Sequence, residues 1–129
     1  MGRRRYRRLL VGADTYRWSV GHRHERDEQG LSGCREVVLL RKEGRPGGIH
    51  VVFRGGPGRI VLDGGPYTHT GSVWRAEDES ALNLNRPRVV RALIDVMVLE
   101  RGEDFGSRVE VDGWTVMDAV HARLRPAER

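Results

Sequence analysis

Three glycine- and proline-rich turns cut the middle of this chain into pieces too short for helices, and they limit its fold more than any other feature. They are Gly44-Arg45-Pro46-Gly47-Gly48, Gly55-Gly56-Pro57-Gly58 and Gly64-Gly65-Pro66. Glycine supplies positive backbone angles and proline stops pairing, so each cluster reads as a turn. The runs around them, residues 35–41, 49–54 and 59–63, are rich in β-branched and other large apolar side chains and read as strands. Two further runs, 7–11 and 16–22, are joined by Gly12-Ala13-Asp14-Thr15 and predict a hairpin. Within the second run Tyr16, Trp18 and Val20 alternate with Arg17, Ser19 and Gly21, the period of a half-buried strand. Residues 23–33 are charged and read as an exposed loop, and 70–75 offers a sixth extended piece. Consecutive strands with short turns predict an antiparallel meander of about five strands.

Helical periodicity begins later. Asn85-Arg86-Pro87 has the chemistry of a helix start, with proline in the first turn, where its missing N–H is tolerated. Val89, Val90, Leu93, Ile94, Met97 and Val98 make one apolar stripe, and Gly102 is the expected stop. A second helix is expected from Trp114 or Thr115 to Leu124, after a short strand at 108–111. The predicted class is therefore α+β, with two helices packed on the sheet. At 129 residues the chain suits one domain. The expected boundaries are a basic arm at 1–8, the domain at 9–125 and a tail at 126–129. Both faces of the third to fifth strands carry apolar residues, so either the helices or another protein must cover the second face.

Charge is distributed unevenly along the chain. Of 23 basic residues, 22 are arginine and only Lys42 is lysine, which resembles the codon bias of a GC-rich genome and discounts arginine abundance as a signal. The clustering survives that discount. Arg3, Arg4, Arg5, Arg7 and Arg8 surround Tyr6, and without these five the chain has 18 basic against 18 acidic residues. Such an arm can track phosphates while Tyr6 stacks on a base, it can steer an acidic protein partner, or it can be an inert solubilising end that contacts nothing specific.

Other chemistry has little support in the spacing. His22 and His24, two apart on a strand, share a side and could hold a metal with help from Glu28 or His50, but no second ligand pair follows. Cys34 and Ser72 lack the local signature of a nucleophile. Gly55-Gly56-Pro57-Gly58 leads into a strand, unlike a phosphate-binding loop, which opens a helix. A single cysteine excludes an intrachain disulfide and points to a reducing cytoplasm, and no apolar run has the length of a membrane span. No cofactor is implied.

From Asn83 to Trp114 the pattern of helix start, apolar helix, glycine and strand resembles segments of small bacterial accessory or immunity-type proteins. That resemblance implies partner binding. The expected function is thus a non-enzymatic cytoplasmic interaction module, binding another protein or a second copy of itself, with Arg17, Trp18 and Trp74 as candidate contacts. The alternatives are nucleic-acid binding through Arg3 to Arg8, and a small enzyme or metal protein using His22, His24 or His50.

Overall fold

The computed structural model describes residues 6–27, 30–61 and 71–124, with the backbone alone at 24–27 and 30–33. Four strands form the expected meander: β1 (Arg7–Val11), β2 (Asp14–Asp27), β3 (Gly30–Lys42) and β4 (Gly48–Arg54). Next come β5 (Arg59–Val61), β6 (Ser72–Arg75), β7 (Ser80–Asn83), helix α1 (Pro87–Asp95), β8 (Val109–Asp112) and helix α2 (Gly113–Leu124). The main sheet has the order β1-β2-β3-β4-β8, antiparallel except for the parallel β4–β8 pair. This is an α+β fold with both helices on one face of a five-stranded sheet.

Two expectations are corrected. Residues 23–33 are not a free loop, because β2 runs to Asp27 and β3 starts at Gly30, with a register shift between Glu25 and Arg26. Backbone pairing alone satisfies a two-stranded ribbon, and it needs no apolar alternation of the kind the sequence reading looked for. In addition, β5 leaves the meander. It pairs with β6, and β6 with β7, in a separate three-stranded sheet, while β8 takes the fifth place in the main sheet.

The inward face of the main sheet carries Tyr16, Trp18, Val38, Leu40, Ile49, Val51 and Phe53, which meet Val90, Leu93, Met97, Met117 and Val120 of the helices. Arg86 is the N-cap of α1 and Pro87 its first residue. The helix then widens into a π-helical turn at Val96–Glu100, where the Arg101 N–H reaches the Val96 carbonyl at 3.0 Å. Gly102, at φ +70°, ends it as expected. Among the described residues no helix is long and apolar enough to cross a membrane.

Candidate functional site

Strand register decides which side chains share the sheet face away from the helices. Trp18 pairs with Leu40 and His22 with Glu36, all inward, so the odd-numbered residues of β2 from 17 to 23 and of β3 from 35 to 41 point outward. On that outer face Arg8 lies opposite Arg17, and Arg17 opposite Arg41. Further along, Arg23 lies opposite Arg35, and Arg35 opposite Arg54. The result is two ladders of three arginines each, separated by six residues of strand, or roughly 20 Å. Like charges directly opposite one another are destabilising, so the arrangement is not explained by folding.

Between the ladders lie Ser19, Leu39 and His50 in one row and Gly21, Val37 and Val52 in the next. Val37, Leu39 and Val52 are buried, at 9%, 5% and 2% exposure, so this face presents no apolar patch. The arginines themselves stand out: Arg8, Arg17, Arg23, Arg41 and Arg54 are exposed and Arg35 is half-buried. Arg108, just before β8, joins them beside His50. Among the described residues Arg54 pairs with Glu110 at 3.4 Å, whereas Arg8, Arg17, Arg23, Arg41 and Arg108 form no ion pair with a carboxylate.

Several arginines elsewhere are neutralised. Arg75 is held by Asp78 and Asp118 at 2.5 and 2.6 Å, Arg59 by Glu77 at 2.8 Å, Arg91 by Asp95 at 3.2 Å and Arg123 by Glu100 at 2.7 Å. Hydrogen bonds from Arg75 hold the Asp78 carboxyl well below the usual carboxylate range, and the guanidinium is raised in turn.

Two cavities open on the outer face. The larger, about 420 Å³, is bordered by Tyr6, Leu39, Arg41, His50, Ser107 and Arg108. A smaller one of about 80 Å³ is bordered by Arg23, Arg35, Val52, His50, Arg108 and Glu110. His50 therefore sits between them.

The residues singled out from sequence fall in different places. Arg17 is on the outer face, as part of a ladder. Trp18, at 1% exposure, lies in the core and offers no surface to a partner, because its position on β2 faces the helices. Trp74 is half-buried on β6, opposite Ala81. Arg7 belongs to the fold more than to an arm: its guanidinium lies 4.5 Å over the Trp18 ring and donates to the Asn85 carbonyl at 3.0 Å. Arg3, Arg4 and Arg5 lie outside the described residues.

The metal reading loses one of its combinations, that of His22 with His50, while Glu28 lies outside the described residues. The Nδ1 of His22 is engaged by the buried carboxylate of Glu36, and His50 is on the opposite side of the sheet, so His22 and His50 cannot share an ion. The His24 side chain lies outside the described residues, and among those described no group of histidine, cysteine and carboxylate side chains could hold a metal.

Sequence reading missed the ladders because it summed charge along the chain. The signal was present in part in the alternation of 16–22, where Arg17 takes a position left over by the core.

Comparison with known proteins gave no matching family model, no matching curated protein and no matching solved structure.

Proposed function

We propose that the outer face of the main sheet binds single-stranded nucleic acid through its phosphates. One observation carries the reading: five exposed arginines without a carboxylate partner among the described residues share one face, four of them within two like-charge ladders. Phosphates would relieve the repulsion and form charge-assisted bonds to each guanidinium. Arg3, Arg4 and Arg5 add charge immediately before Tyr6 in the sequence. A sheet face suits a single strand better than a duplex, whose major groove admits a helix or a two-stranded ribbon. The β2–β3 ribbon is a poor candidate for groove entry, since Glu25 and Asp27 lie at the end of β2. A reducing cytoplasmic setting, consistent with the single Cys34, fits this role.

Protein binding is the second reading, favoured by β1, an edge strand on which Leu10 is 68% exposed. A second copy pairing along that edge, or a partner contacting Arg17 and Trp74, is the form it takes.

Fluorescence anisotropy with a labelled single-stranded oligonucleotide, competed by polyglutamate, separates the two. Binding that unlabelled oligonucleotide displaces and polyglutamate does not, and that Arg17→Gln with Arg41→Gln weakens, supports the first reading. Absence of oligonucleotide binding, with a dimer in light scattering that Leu10→Lys dissociates, supports the second.

A further inference from the structure

We propose that the larger outer-face cavity is a subsite for one phosphorylated nucleoside, an inference that rests on the nucleic-acid reading and extends it. The volume of about 420 Å³ falls within the range of small-molecule sites, roughly 300–1,000 Å³. Leu39 and His50, neighbours across β3 and β4, form its floor.

Its wall is backbone held at close range. The Gly47 N–H donates to the Phe105 carbonyl at 2.9 Å, and a Cβ at Gly47 would lie 2.2 Å from the Ser107 oxygen. Phe105 adopts a left-handed φ of 61°, a conformation a large side chain avoids. Burial at 2% exposure, with its ring 5.5 Å from that of Tyr16, keeps it there. The strained residue fixes the loop that presents Ser107 and Arg108, so the cavity is preformed rather than gathered by a mobile segment.

The chemistry of the rim selects the ligand. Arg41 and Arg108, neither paired with a carboxylate among the described residues, place two positive charges at one opening. A terminal phosphate monoester carries close to two negative charges at neutral pH and matches them, whereas an internal diester carries one. Tyr6, 39% exposed, supplies an aromatic face on which a base can stack. His50 and the Ser107 hydroxyl supply polar contacts to the sugar or phosphate. The ligand is either the phosphorylated end of a bound strand or a free mononucleotide.

Isothermal titration of the full chain with uridine monophosphate, uridine and inorganic phosphate tests this. The monophosphate should bind at least about tenfold more tightly than either fragment, and Tyr6→Ala and His50→Ala should each weaken it by about tenfold. Arg91→Gln, on α1 and paired with Asp95, should leave it unchanged. A 5′-phosphorylated oligonucleotide that outcompetes its hydroxyl-ended twin assigns the site to a strand end. Equal oligonucleotide affinities, or none, with tight monophosphate binding assign it to a free nucleotide. Monophosphate binding no tighter than inorganic phosphate, with both oligonucleotides bound equally, overturns the subsite and leaves the ladders standing.

Discussion

Arg17 and Arg41 stand directly opposite each other on β2 and β3, on the outer side of the sheet, and Arg8 faces Arg17 from the other flank. A cross-strand pair of like charges costs about 0.2–1 kcal/mol relative to a neutral pair. Replacing the central member should therefore stabilise the fold. Arg17→Thr is expected to raise the free energy of unfolding, measured in urea, by an amount in that range and to weaken oligonucleotide binding at the same time. A variant less stable than the parent chain would mean that Arg17 serves the fold.

Arg7 and Arg8 are adjacent in sequence but should respond differently. Arg7 lies over Trp18 and bonds to the Asn85 carbonyl. Arg7→Gln should cost about 0.5–1 kcal/mol, measured by thermal or urea unfolding. Arg8→Gln should cost nothing and should lower affinity for the strand.

Gly47 lies against the Ser107 backbone, which has no flexible end to move aside. Gly47→Ala should destabilise by about 1–3 kcal/mol through forced separation of the two loops. Gly56→Ala is the control, since a Cβ there meets nothing within 4 Å and should stay within about 0.5 kcal/mol of the parent. Equal unfolding midpoints for the two variants would contradict the close approach.

Arg75, nearly buried, links the β6–β7 turn to α2 through Asp78 and Asp118. Because its hydrogen bonds depress the Asp78 carboxyl, that stabilisation is complete above the ordinary aspartate value of about 4 and fades as pH falls through the lowered folded value. Asp78→Asn should lower Tm at neutral pH, and the gap to the parent chain should narrow steadily in strongly acidic solution. A gap independent of pH would assign the loss to packing.

Periodicity and turn chemistry made much of the fold legible. The alternation of Tyr16, Trp18 and Val20, the turns around Pro46 and Pro57, and the start of α1 at Pro87 all encode their structure locally. The place of β8 beside β4 is not local: a parallel partner separated by three strands and a helix leaves no mark on either segment. Ribbon pairing of 24–27 with 30–34 escaped for a related reason, since backbone bonds between a charged segment and a glycine-containing one have no hydropathic signature. The arginine ladders were half legible. Arg17 could be placed on the face opposite Trp18 from sequence, but its juxtaposition with Arg8 and Arg41 is a property of register. The balance of 18 acids against 18 bases outside the first eight residues concealed it, because most carboxylates near arginine lie on other surfaces, as with Asp95, Glu100 and Asp118.

The most direct test of the central claim is the salt dependence of single-strand binding, measured by anisotropy from low to physiological ionic strength. If about five arginines contact phosphates, log K should fall linearly with log salt concentration with a slope near −3.5, at about 0.7 for each contact. Arg17→Gln combined with Arg41→Gln should reduce that slope by about 1.4. A slope unchanged in the double variant, or no binding at low salt, would contradict the assignment of the outer face.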